Sequence, residues 1–122
     1  MRDLLGDAGL GPPAEPYSAL AFARPAALPD EAPAAGEPLP VAFAIANAEG
    51  TDRLYAWRIT VDAGDGPEVV ARGRASVGDG ATEMISTRVP VACAGERVRL
   101  GVVLDAPTRR IGTWLACPGV TP

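Results

Sequence analysis

Short segments in which every second residue is apolar restrict the fold of this chain more than any other feature. Such alternation places successive side chains on opposite faces of a β-strand. Clusters of Gly, Pro, Asn or Asp end the segments about every 8–12 residues, which is typical of an all-β sandwich or barrel. The sets on one face are Val41, Phe43 and Ile45; Tyr55, Trp57, Ile59 and Val61; Ile85, Thr87, Val89 and Val91; Val98, Leu100, Val102 and Leu104; and Ile111, Thr113 and Leu115.

Two further segments complete the set of strands. Residues 17–24 alternate weakly before Pro25 and predict a first strand at a sheet edge, and residues 69–77 predict another strand after the turn at 62–67. A proline-rich extended connector at 25–40 separates the first strand from the second. We therefore predict a two-layer immunoglobulin-like β-sandwich of about seven antiparallel strands.

The domain organisation follows from length and composition. A chain of 122 residues suits one domain. Because 48% of the residues are hydrophobic and only 5% aromatic, we expect a mainly aliphatic core. We predict an N-terminal arm at 1–16, the sandwich at 17–118 and a tail at 119–122. The arm is either loose or docks on a neighbour through Leu4, Leu5 and Leu10.

The absence of histidine excludes several functions. Ser–His and Cys–His catalysis, histidine metal sites and blue-copper sites all require this residue. We predict no catalytic residue, no metal site and no cofactor. The net charge of −4 argues against nucleic acid as a partner. No stretch nears the roughly 20 apolar residues of a membrane span, and residues 1–6 lack a signal-peptide core, so we expect no membrane insertion by this segment.

The two cysteines have matching strand parity. Cys93 follows Val91, and Cys117 follows Leu115, so both are predicted to point into the core near the same end of the sandwich. A disulfide contributing about 3 kcal/mol is the favoured interpretation, and it requires an oxidising compartment. Two buried free thiols are the alternative.

An outward patch of arginine and tryptophan is the candidate binding surface. If Leu104 pairs with Ile111, then Trp114 lies opposite Gly101 on the outward face. Arg97, Arg99 and Arg58 share that outward parity. The patch suits an acidic partner, whether a cell-wall polymer, another protein or a second copy. Solvated arginines beside one exposed indole are the alternative.

Acidic turns offer little chemistry. Residues 62–66 lack the alternating ligands of a calcium-binding EF-hand and predict a hairpin turn. Carboxylates are numerous enough for a hydrolase, but most lie in turns or in the connector, and nothing brings two of them into a dry cleft.

A family resemblance rests on three segments. Residues 39–50, with Asn-Ala-Glu-Gly at 47–50, and residues 55–61 resemble the strand, turn and aromatic strand of prokaryotic cell-adhesion-related immunoglobulin-like surface domains. They also look like the extracellular domain of certain prokaryotic membrane proteins. The basic-aromatic strand at 109–115 fits the same pattern. The resemblance covers about residues 17–118 and implies a sandwich fold and an exported location, without catalytic residues.

From these features we predict a non-catalytic extracellular or cell-surface module that mediates protein binding or self-assembly. A binding module for an anionic cell-wall polymer or glycan is the second hypothesis. A small hydrolase that uses carboxylates is the third.

Overall fold

The described part of the chain, which in this computed structural model comprises residues 16–25, 28–34 and 37–117, contains seven β-strands and no α-helix. The all-β prediction is confirmed. Of the predicted arm at 1–16, residues 1–15 lie outside the described residues, as does the whole of the predicted tail at 119–122. The strands are β1 (Tyr17–Phe22), β2 (Leu39–Ala48), β3 (Arg53–Asp62), β4 (Pro67–Val77), β5 (Thr82–Val89), β6 (Arg97–Leu104) and β7 (Arg109–Ala116).

The strands form two antiparallel sheets, with the order β1-β2-β5 in one and β4-β3-β6-β7 in the other. This arrangement confirms the predicted immunoglobulin-like sandwich. β1 lies at an edge, as predicted from its flanking prolines, and pairs with β2 from Tyr17 to Phe22. After β1 the chain crosses to the other sheet. There the N–H of Ala32 donates to the carbonyl of Ala116 at the end of β7, and the N–H of Ala116 donates to the carbonyl of Asp30 in the connector. The connector therefore covers the edge of β7 at that end.

The core consists of the inward-facing residues of both sheets, as the alternation predicts. Phe43 is fully buried on β2 and contacts the ring of Trp57 edge to face, with centroids 5.3 Å apart. A Cβ at Gly73 would overlap the Trp57 indole, so this glycine makes room for it. Tyr55 is also fully buried, and aliphatic residues make up most of the remaining core, which confirms the expectation of a mainly aliphatic core. They include Val41, Ile45, Ile59, Val89, Val98, Leu100, Val102, Leu104 and Leu115.

The β6–β7 hairpin differs from the predicted register. The four-residue turn at 105–108, in which Ala106 has a φ of 46°, allows Leu104 to pair directly with Arg109. Trp114 therefore lies opposite Arg99, and the predicted pairing of Trp114 with Gly101 is wrong. The shift is two residues, which preserves the side-chain period, so Trp114 still faces outward.

The two cysteines form the predicted disulfide, which joins the β5–β6 loop to the end of β7 with a Cα–Cα distance of 5.8 Å. The prediction that Cys93 points into the core is wrong, because β5 ends at Val89 and Cys93 is exposed in the loop. Pro90 follows Val89 and has no N–H to continue the ladder, so strand parity cannot be extended to residue 93. Cys117 packs against the core.

Asn47 joins the turns at the opposite end of the sandwich. Its side chain is 1% exposed and donates hydrogen bonds from Nδ2 to the carbonyls of Thr51 and Val77, at 2.8 and 2.9 Å. Its Oδ1 accepts a hydrogen bond from the backbone N–H of Glu49 at 2.9 Å. One side chain therefore fixes the β2–β3 turn and holds it against the end of β4.

We expect Asn47→Ala to lower the free energy of unfolding by about 2–3 kcal/mol, because it leaves three buried or part-buried backbone groups without their partner. Urea denaturation measures the change. Asn47→Asp keeps the acceptor for Glu49 but places a carboxylate oxygen against two carbonyl oxygens, so its loss should be at least as large. A loss below about 0.5 kcal/mol for Asn47→Ala would contradict this role.

Candidate functional site: a cationic sheet face

The outward face of the four-stranded sheet carries six of the eleven arginines, and we call this surface the arginine face. Residues that pair across neighbouring strands share a face, and alternate residues within a strand do so too. Arg58 pairs with both Arg72 and Val103, and Val103 pairs with Arg110. The alternate residues of these strands lie on the same face. The arginine and tryptophan residues of the arginine face are Arg58, Arg72, Arg74, Arg97, Arg99, Arg110 and Trp114.

Carboxylates balance little of this charge. Asp105 forms an ion pair with Arg58 at 2.8 Å, and both side chains are partly exposed. Asp62 lies opposite Arg99 where β3 pairs with β6, but its Oδ1 accepts hydrogen bonds from the N–H groups of Gly64 and Gly66 within the β3–β4 turn. Among the described residues, no carboxylate forms an ion pair with Arg97 or Arg99. The arginine face is therefore cationic on a protein whose net charge is −4.

Trp114 is the centre of the densest part of the face. Its side chain is 47% exposed, and the guanidinium carbon of Arg97 lies 4.2 Å from the centre of its ring. The guanidinium carbon of Arg99 lies 5.3 Å from the same centre. Stacking on an indole fixes the orientation of a guanidinium while its N–H groups stay available to an anion. Two arginines are thus held in place by contacts that leave their hydrogen-bond donors exposed.

Two paired glycines beside this cluster leave room for neighbouring side chains to lie over them. Gly101 on β6 lies opposite Gly112 on β7. The guanidinium of Arg99 extends over Gly112, where a Cβ would lie 2.8 Å from Nη2 and 3.1 Å from Cζ of Arg99. Gly112 therefore permits the position of Arg99, and any side chain at residue 112 would displace it.

The outer face of the three-stranded sheet has the opposite character. Its strand positions carry one charged residue, Arg88, beside the exposed Met84 and Tyr17. Alanines occupy most of the remaining outward positions, namely Ala19, Ala21, Ala42, Ala44, Ala46 and Ala48. The positive charge is thus concentrated on one side of the sandwich.

The structure places all four residues of the predicted patch, Arg58, Arg97, Arg99 and Trp114, on the arginine face. It brings Arg97, Arg99 and Trp114 into contact. Arg58 lies on β3 opposite Val103, which is two outward positions beyond Arg99 on β6, and Arg58 forms an ion pair with Asp105. The prediction missed Arg72, Arg74 and Arg110. Parity along β4 and β7 places them outward, and Arg72 pairs with Arg58 across the β3–β4 hairpin. That β3 and β4 join β6 and β7 in one face depends on the pairing of β3 with β6, which the sequence does not state.

Other candidate sites have less support. A cavity of about 300 Å³ opens between the β3–β4 turn and the β5–β6 loop, lined by Val61, Val70, Pro90 and Cys93, and its two carboxylates, Asp65 and Glu68, are exposed. A carboxyl group acts as a general acid near neutral pH when burial disfavours its charged form, and solvent-exposed carboxylates are not buried in this way. No group of three or more potential metal ligands occurs within the described ranges. In those same ranges no helix has the length and apolar character needed to cross a membrane.

Comparison with known proteins supports the fold alone. No protein-family model matches the chain, and no curated protein matches it. Among solved structures, the crystal structure of red sea bream transglutaminase matches with a TM-score of 0.53 and 17% sequence identity. The match covers 99% of this chain but only 18% of that chain, so this protein corresponds in length to a small part of the transglutaminase. At this identity the likeness is one of β-sandwich architecture.

Proposed function

We propose that this protein is a non-catalytic module that binds an acidic protein partner through the arginine face. The observation that carries the proposal is the stack of Arg97 and Arg99 on Trp114, on a surface where described carboxylates leave both guanidinium groups without an ion pair. Arginine and tryptophan are the residues most enriched at the centres of protein interfaces. Guanidinium groups also form bidentate hydrogen bonds with carboxylates.

An exported location is part of the proposal. The disulfide supports it, because such bonds persist in oxidising compartments and are rare in the cytosol. The resemblance of residues 39–61 to prokaryotic immunoglobulin-like surface domains supports it as well. If the partner is a second copy, the arginine face must meet an acidic region of that copy, since two identical cationic faces repel each other.

A binding site for an anionic glycan is the second candidate, and the exposed indole of Trp114 is the observation that favours it. Aromatic rings pack against sugars as well as side chains. However, Arg97 already lies 4.2 Å from the ring centre and occupies part of the surface that a sugar would need. We therefore rank the acidic protein partner first.

Binding to poly-L-glutamate and to heparin, measured by isothermal titration calorimetry at low salt, tests the proposal. We expect poly-L-glutamate to bind the wild-type protein and the double variant Arg97→Gln/Arg99→Gln to bind it roughly tenfold more weakly. Added salt should weaken both, since exposed charges are screened.

The matched control is Arg24→Gln/Arg88→Gln, which removes the same charge from exposed residues outside the arginine face. It should bind nearly as well as the wild type. Equal losses in the two double variants would show that only net charge matters and would overturn the proposal. Binding of heparin without binding of poly-L-glutamate would favour the glycan-binding alternative.

A further inference from the structure

The geometry of β7 points to the conformation of the partner. We infer that the arginine face recognises an extended segment with acidic residues at alternate positions, lying along β7. The inference rests on the proposed function and adds to it the spacing of the acidic side chains. It derives from the places of three arginine side chains, two from β6 and one from β7, at successive outward positions of β7.

Three successive outward positions of β7 carry a positive charge. At the first, the guanidinium of Arg97 lies over Trp114. At the second, the guanidinium of Arg99, whose carbon is 5.3 Å from the centre of the Trp114 ring, extends over Gly112. At the third, Arg110 itself is the outward residue, paired with Val103. Both β6 arginines thus extend toward β7, and the charges follow the period of that strand.

The repeat of this row matches an extended peptide. Alternate residues of an antiparallel strand are about 6.8 Å apart, which sets the spacing of the three charged positions along β7. An extended peptide presents every second side chain on one face with the same rise and a similar right-handed twist. Carboxylates at i, i+2 and i+4 can therefore meet Arg97, Arg99 and Arg110 in turn.

Gly112 is the residue that makes the row continuous. A Cβ at residue 112 would displace the guanidinium of Arg99 from the second position. A wider gap between the first and third charges would no longer match alternate residues. We therefore assign Gly112 a positioning role in recognition, exerted through Arg99.

Three synthetic peptides of about fourteen residues, each with four glutamates among threonines and serines, test the spacing. The first has glutamate at alternate positions, the second has its glutamates in one block, and the third has them at every fourth residue, as on one face of a helix. All carry the same charge, so non-specific attraction is matched. Isothermal titration calorimetry gives the dissociation constants for the intact protein.

We expect the alternating peptide to bind roughly tenfold more tightly than either of the others, since only it can pair with all three charges at once. Gly112→Ala should reduce this preference to about twofold or less, because it displaces Arg99 without removing a charge. Arg72→Gln/Arg74→Gln, on β4 of the same face, should leave the preference unchanged. Circular dichroism verifies that each variant is folded.

Two results would overturn the inference, and they separate it from the proposed function. Equal binding of all three peptides, lost in Arg97→Gln/Arg99→Gln, would leave an acidic partner in place and reject the alternating spacing. Tightest binding of the peptide with glutamate at every fourth residue would also reject an extended partner. If none of the peptides binds, and poly-L-glutamate does not bind either, the proposed function itself fails.

Discussion

Phe43→Ala should lower the free energy of unfolding by about 3–5 kcal/mol, the range found when a large aromatic residue is removed from a core. Phe43 is fully buried in the central strand of the three-stranded sheet, where it pairs with Phe22 on β1 and Ile85 on β5. It also contacts Trp57 of the other sheet. With aromatic residues only 5% of the chain, few neighbours can fill the space it leaves.

Urea denaturation, followed by tryptophan fluorescence and by circular dichroism, measures this loss. Phe43→Leu is the matched control and should cost roughly half as much, because it keeps most of the apolar volume. Met84→Ala removes an exposed apolar residue from the outer face of the same sheet and should change stability by less than about 0.5 kcal/mol. A loss below about 1 kcal/mol for Phe43→Ala would show that the two sheets do not meet at this residue.

Removal of the disulfide is the second large effect. Cys93 and Cys117 are 24 residues apart in sequence, and closing a loop of that length restricts the unfolded chain enough to stabilise the fold by about 3 kcal/mol. The bond also fixes the β5–β6 loop to the end of β7, close to the strands that carry Arg97 and Trp114. We expect Cys93→Ala/Cys117→Ala to unfold at a markedly lower urea concentration.

Comparing oxidised and reduced protein isolates the contribution of the bond. A thiol reductant should lower the unfolding midpoint of the wild type to near that of the double variant, and it should leave the variant itself unchanged. Mass spectrometry after alkylation verifies that both thiols have been released. If complete reduction leaves the wild-type midpoint where it was, the disulfide does not stabilise the domain.

The alternation of apolar residues was sufficient to predict the fold class, because each strand of this sandwich buries one face and exposes the other. It also predicted which residues face outward, since a shift of two residues in the β6–β7 register leaves every side chain on its original face. The exact pairing could not be predicted, because it depends on the turn at 105–108. Strand parity wrongly predicted that Cys93 points into the core, because β5 ends at Val89, just before Pro90.

The arginine face could be predicted only in part, for a physical reason. Arg97, Arg99 and Trp114 lie on two strands that follow one another in sequence, so a hairpin brings them together. Arg72 and Arg74 join them through the order β4-β3-β6-β7, in which β3 pairs with a strand far from it in sequence. The position of Arg99 over Gly112 depends on side-chain direction, which strand periodicity does not specify.

The most direct test of the arginine face is a two-dimensional ¹H–¹⁵N spectrum of the labelled protein, recorded as the alternating-glutamate peptide is added. The two tryptophans provide an internal comparison, because Trp114 is exposed whereas Nε1 of Trp57 is buried. We predict that the indole signal of Trp114 and the amide signals of β6 and β7 shift, while the Trp57 indole and β5 do not. Shifts confined to the alanine-rich outer face of the three-stranded sheet, or no shifts at saturating peptide, would contradict the account.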